Sequence, residues 1–205
     1  MSVKKLWMVG LMSMALGAAS LASVSFADDA AMPAGIKGDM MAMIKDAEDK
    51  LTQLADATPE AKYAWRPNKA VRTTAEVFMH VVTANYGIPA AMGVTPPAGF
   101  TGMDYEKSMT KKADIQKALK ESFAHMEAAL TNATDADMDK EIELFGMKMT
   151  ERRGFMLLVA HVHEHLGQSI AYARSNGIVP PWTAKQQAAM KPEAEKKAAS
   201  TTTSK

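Results

Sequence analysis

The chain has 205 residues, with 24 basic against 23 acidic side chains and no cysteine. So even a balance leaves no electrostatic footprint for nucleic acid. The missing thiols exclude a disulfide framework and a thiolate metal site. What remains is long enough for one domain with a sizeable core, held by packing alone.

Lys4 and Lys5 precede an apolar run from Leu6 to about Ala22, and Ser25-Phe26-Ala27 follows with small residues where signal peptidase reads. The pattern predicts a secretory signal peptide over residues 1–27, cleaved after Ala27. The run is at the short end of the roughly 17–25 residues a membrane span needs. No stable membrane anchor is therefore expected after cleavage, and the predicted location is the periplasm or the secreted space. Cleavage leaves 178 residues, with 22 basic against 23 acidic and a formal charge of −1.

Four helical segments follow. In the first, from about Pro33 to Ala55, Met40, Ile44, Ala47, Leu51 and Leu54 fall on one face. Thr58-Pro59 and Trp65-Arg66-Pro67-Asn68 form an irregular link. The second begins with a capping box, Thr73 with Glu76, and carries Val77, His80, Val81 and Ala84 on its apolar side. Gly87 and Pro89 are expected to stop it, and Ile88 to Asp104 reads as a long loop. The third, from about Thr110 to Leu130, lines its inner face with Ile115, Leu119, Ser122, Phe123, Met126 and Leu130. Glu141 to Met149 alternates enough for a short hairpin. Thr150 caps the fourth and longest helix, which Gly177 stops after Asn176. Residues 184–205 are polar and charged, which predicts a disordered tail. The pattern predicts an all-α four-helix bundle over residues 28–183.

The chemistry concentrates in His161-Val162-His163-Glu164-His165-Leu166-Gly167-Gln168. His161 and His165 are four apart, about 40° of rotation on a helix, so both rings leave one face. That spacing suits two nitrogens meeting one divalent ion. His80 is the third histidine on an apolar helix face. Three neutral imidazoles would bind zinc, nickel or iron and leave a position open, the mark of a catalytic or ligand-binding site. The competing reading is three unrelated packing histidines. His163 lies about 200° round the helix from both neighbours and cannot join them. His125 falls roughly 80° off the inner stripe of its helix, which predicts a solvated side chain. Gln168 is either a hydrogen-bond partner of a ligand histidine or simply a polar helix-end residue. Tyr86, Tyr172 and Trp65 read as packing residues. Met40, Met41 and Met43 read as core filling rather than soft Cu(I) ligands.

With the signal removed, the sequence resembles the DinB/YfiT superfamily of four-helix bundles from Ile36 to about Trp182. Trp65-Arg66-Pro67, Val71-Arg72-Thr73-Thr74-Ala75-Glu76 with His80 following, and His161-x-x-x-His165-x-Gly167-Gln168 carry the resemblance. So does the closing run Tyr172-x-Arg174-x-x-Gly177-Ile178-Val179-Pro180-Pro181. The resemblance implies metal ligands at His80, His161 and His165. It also implies a thiol-transferase or thiol-dependent isomerase activity known among relatives. Two positions depart: Glu164 and Leu166 stand where relatives often carry a histidine and an arginine. An anionic-substrate role is therefore not carried over.

Glu164 is open to three readings: a carboxylate supporting the site, a base, or a solvated neighbour. It also completes His-x-x-Glu-His, the inverzincin protease signature. That motif needs a downstream acidic ligand, and only Glu193 and Glu195 follow. The expected function is a metal-dependent transferase or hydrolase acting on a small molecule. The alternative is a non-catalytic periplasmic binding module. A homodimer is one oligomeric state open to such bundles. Mass spectrometry of the exported protein should give Asp28 as its N-terminus. A membrane-retained chain starting near Met1 would show an anchor instead.

Overall fold

The computed structural model describes residues 34–190; the expected signal peptide and residues 191–205 lie outside the described residues. Helix α1 (Ile36–Ala57) starts after Gly35, whose φ of 69° a side chain would strain, and buries Met40, Ile44, Ala47, Leu51 and Leu54 as its periodicity predicts. It ends where Thr58 turns its N–H and hydroxyl back onto the Leu54 carbonyl, at 3.0 and 2.7 Å. A 3₁₀ turn (Glu60–Lys62) carries the chain across the end of the bundle. Tyr63, 2 % exposed, pins that crossing by donating its hydroxyl to the Ala55 carbonyl at 2.7 Å.

Helix α2 (Thr74–Ala90) opens with the capping box: the Thr73 hydroxyl accepts from the Glu76 N–H, and Glu76 accepts from the Thr73 N–H. It does not stop at Gly87 but runs through Pro89 to Ala90. A proline in the last turn forfeits only one intrahelical bond, so the helix closes one residue later rather than breaking. The long connection also contains structure that its glycines and prolines concealed, a 3₁₀ helix (Gly102–Lys107) packed on α2 with Glu106 as its buried residue.

Helix α3 (Lys112–Asn132) buries all six predicted inner residues. A single turn, α4 (Asp135–Met138), leads into the antiparallel hairpin β1 (Glu141–Leu144) and β2 (Met147–Thr150), in which Leu144 faces Met147. The two-residue turn, Phe145-Gly146, has φ values of 53° and 72°. Helix α5 (Glu151–Ser175) is capped by Thr150, whose hydroxyl accepts from the Arg153 N–H at 3.3 Å. It ends in a Schellman turn: Gly177, at φ 73°, donates to the Arg174 carbonyl, and Ile178 donates to that of Ala173. Residues 181–190 are helical, so the start of the expected disordered tail is ordered as far as 190, though residues 184–190 are exposed as expected. The Ala184 N–H, bonded to the Pro180 carbonyl at 3.0 Å, begins that turn.

Each long helix touches two others. α1 packs on α3 and α5, and α2 packs on the same two. Helices consecutive in the chain, α1 and α2, therefore sit diagonally, and α2 and α5 bring the three candidate histidines to one interface. The hairpin lies against α5 at Gly154, where a Cβ would stand 2.6 Å from Met92 Cε and 3.0 Å from Ile142 Cδ1. No described helix is long and apolar enough to cross a membrane.

Two half-buried carboxyls, Glu48 of α1 and Glu127 of α3, face one another. Burial, together with a hydrogen bond and the charge of Glu127, pushes the Glu48 carboxyl up from 4.5 to about 7. The folded state thus holds this proton more tightly than the unfolded chain does. Its stability should fall as pH rises through that window. Urea unfolding between about pH 5 and pH 8 should show this decline in the wild type and a flatter profile in Glu48→Gln.

Candidate metal centre

His80 sits about two turns into α2 because the capping box at Thr73 fixes where that helix begins. His161 and His165 are one turn apart on α5. The fold sets these two helices side by side, and one ligand atom from each of the three rings lies within 4.8 Å of the others. His80 Nε2 and His161 Nε2 are 3.1 Å apart, and the three ring centroids are separated by 4.4 to 4.9 Å. His165 is buried and the other two are half-buried. The sequence expectation of three converging histidines, rather than three unrelated ones, is what the fold produces.

Two rings are held from behind. His80 Nδ1 donates to Glu106 Oε2 at 2.9 Å, and Arg72 grips the same carboxylate with Nε at 2.5 Å and Nη2 at 3.1 Å. His165 Nδ1 donates to Gln168 Oε1 at 2.8 Å. The Gln168 amide donates to the Tyr172 hydroxyl at 3.3 Å, which donates to the Arg72 carbonyl at 3.1 Å. Both branches thus end on Arg72. With Nδ1 committed as a donor, the Nε2 lone pair is the free one on His80 and on His165.

The electrostatics agree. Burial and the neighbouring Arg72 charge lower the pKa of His80, against the opposing pull of Glu106. Burial, then His165, His80 and Arg72, take His161 down to about 3. Burial would raise the Glu106 carboxyl, but the hydrogen bonds from Arg72 and His80 outweigh it and hold it low. His161 Nδ1 is buried without a partner, so its Nε2 can carry the proton and donate to the His80 Nε2 lone pair at 3.1 Å, or both Nε2 lone pairs can face one cation. Three converging imidazoles, two of them oriented by acceptors behind, fit a divalent zinc, nickel or iron ion.

The other candidates fall elsewhere. Glu164 is exposed and makes no hydrogen bond among the described residues, so the supporting carboxylate is Glu106 instead. The reason is angular: Glu164 leaves α5 about 100° away from His165. With Glu164 outside and His80 completing the set, the inverzincin arrangement is not formed. Gln168 takes the partner role rather than the bland one. His163 stays off the site, its Nδ1 donating to the Val159 carbonyl at 3.0 Å. His125 is half-buried rather than solvated, because Tyr86 of α2 packs edge-on against it with centroids 5.2 Å apart. Trp65 packs edge-on on Tyr172, centroids 5.2 Å apart, which steadies the hydroxyl that holds Gln168. Met40 and Met41 are core, while Met43 is exposed.

Sequence reasoning missed Glu106 and the role of Arg72. Glu106 lies in a segment with no helical periodicity, so nothing local marked it. Purified protein should retain about one zinc, nickel or iron ion per chain, as three protein ligands with an open position allow. Elemental analysis should find His161→Ala at background. Glu106→Gln should keep the fold but bind zinc about 10–100-fold more weakly in competition with a chromophoric chelator.

The profile of the DinB superfamily matches residues 43–169. Among solved structures, a DinB-like protein from Bacillus cereus superposes with a TM-score of 0.62 at 20% identity, covering 71% of this chain and 95% of that one. YfiT from Bacillus subtilis, described as a probable metal-dependent hydrolase with an unusual four-helix bundle topology, superposes with a TM-score of 0.57 at 15% identity, covering 70% and 89%. A mycothiol-dependent maleylpyruvate isomerase superposes with a TM-score of 0.54 at 10% identity, covering 63% and 59%. Comparison with curated protein sequences returns no match. At these identities the structural likenesses establish the fold, and the profile match establishes the family: the chain belongs to the DinB superfamily.

Proposed function

We propose that this chain is an exported metal-dependent hydrolase of small molecules, with His80, His161 and His165 as the metal ligands. The observation that carries the reading is the convergence of three imidazoles beside a cleft of about 440 Å³ lined by His80 and His161. When bound, a divalent ion supplies a Lewis acid and brings the pKa of a water or thiol toward neutrality. The chain's own part is to bring three ring nitrogens together and to orient two of the rings. Glu106 and Gln168 do the orienting by accepting from the outer N–H of His80 and His165. Arg72 keeps Glu106 ionised, so that carboxylate remains an acceptor rather than a base. No carboxylate lines the cleft among the described residues. A hydrolase with this lining depends on the metal for its nucleophile.

The likeness to a mycothiol-dependent isomerase supports a second reading, in which a small thiol replaces water as the nucleophile. The chain has no cysteine, so such a thiol would arrive as a ligand. A third reading, a periplasmic binding module, keeps the site without turnover. Export rests on Lys4, Lys5, the apolar run and Ala27.

Zinc-loaded protein should hydrolyse members of a panel of activated esters and lactones in proportion to metal occupancy, with His165→Ala inactive. Turnover only with an added low-molecular-weight thiol would select transfer. No turnover in either panel, at full occupancy, would select the binding module.

A further inference from the structure

The cleft beside the histidines has a composition that the metal centre does not require. Besides His80 and His161 it is lined by Thr83, Ala84, Gly87 and Ile88 of α2, by Phe100 and Met103 of the α2–α3 connection, and by Leu144 and Phe145 of the hairpin. None of these carries a charge. The one hydroxyl, on Thr83, is already donated to the Met79 carbonyl at 2.8 Å. Polarity is thus confined to the histidine end. Gly87 keeps the wall open: a Cβ there would stand 3.6 Å from Phe100 Cζ, and a longer side chain would fill the space between them.

Phe145 is the telling residue. It occupies the first position of a two-residue hairpin turn in which both residues have positive φ, 53° and 72°. Asparagine followed by glycine is the sequence that such a turn favours, because a bulky side chain is strained in the left-handed region. Phe145 is also 69% exposed and no part of the hydrophobic core. Neither turn geometry nor core packing accounts for a phenyl ring there. Met103, across the mouth of the same cleft, is 62% exposed.

We propose that Phe145, with Met103 and Phe100, forms a substrate-specificity wall. It would take the neutral, apolar body of a small molecule whose polar reacting group reaches His80 and His161. A volume of about 440 Å³ suits a molecule built on one or two rings. A second cleft, lined by Arg66, Lys69, Arg72 and Lys107 together with Glu76, Glu106 and Gln168, carries the charged side chains that this one lacks. The uncharged lining of the cleft beside the histidines offers an anionic body no partner. The proposal rests on the metal-centre reading for the polar end only.

Calorimetry of zinc-loaded protein with acetohydroxamate, benzohydroxamate and 4-carboxybenzohydroxamate tests the wall. Burying the phenyl ring should make benzohydroxamate about tenfold or more tighter than acetohydroxamate, and the added carboxylate should abolish that gain. Phe145→Asn, which suits the turn, should melt no lower than the wild type. It should lose most of the benzohydroxamate gain while acetohydroxamate binding stays the same, and Phe145→Leu should restore part of it. Equal benzohydroxamate affinity in wild type and Phe145→Asn would overturn the proposal, as would undiminished binding of the carboxylated probe. If the wild type takes no zinc, the metal reading fails and the wall is judged on metal-free protein with 1-naphthol. Binding weakened by Phe145→Asn sustains it there, and unchanged or absent binding overturns it. A shift from dimer to monomer with Phe145→Asn on gel filtration would assign the ring to a second copy of the chain and overturn the proposal too.

Discussion

Arg72 places two nitrogens on the Glu106 carboxylate, at 2.5 and 3.1 Å, and that carboxylate accepts from His80 Nδ1 at 2.9 Å. The rest of the site follows from this grip. A paired carboxylate stays ionised and acts as a fixed acceptor, so His80 keeps its proton on Nδ1 and turns Nε2 inward. The Arg72 backbone carbonyl meanwhile accepts from Tyr172, which holds Gln168, which holds His165. One residue at the start of α2 thus orients histidines on two helices. Because the Arg72 side chain is partly exposed, the ion pair's weight lies in orientation more than in stability.

The bundle's connectivity makes that convergence available. α1 and α2 follow one another in the chain but sit diagonally, so α2 is flanked by α3 and α5. The hairpin between α3 and α5 spans the corresponding diagonal and brings its tip to the cleft. The site is accordingly built from α2, α5 and the two irregular connections. The helices supply fixed nitrogens and the connections supply what surrounds them. Such a division sets the histidines on rigid helices and leaves part of the cleft lining, Phe145 and Met103 included, to the connections.

Several features were legible before any fold was known. The inward stripes of α1 and α3, the capping box at Thr73, the Thr150 cap, the Gly177 stop and the hairpin all depend on residues within a few positions of each other. The His161 and His165 pair is legible for the same reason, since helical geometry alone puts both on one face. A local signal misleads where tertiary packing competes with it. Pro89 looked like a stop but lies in a last turn that tolerates it. His125 looked solvated until Tyr86 packed over it. For Glu164 the sequence leaves three readings open, and its exposure selects the solvated neighbour, since a one-residue step carries it round the helix.

The sequence by itself determined where helices begin, which faces they bury and that two histidines share one of those faces, because these depend on backbone periodicity and capping over a handful of residues. The tertiary structure alone decided that His80 joins His161 across 81 positions, and that Glu106 rather than Glu164 supports the site from 26 positions beyond His80. It also decided that an apolar cleft opens beside them. Those outcomes depend on which helices pack as neighbours and where an aperiodic connection folds back, and neither has a short-range pattern to betray it.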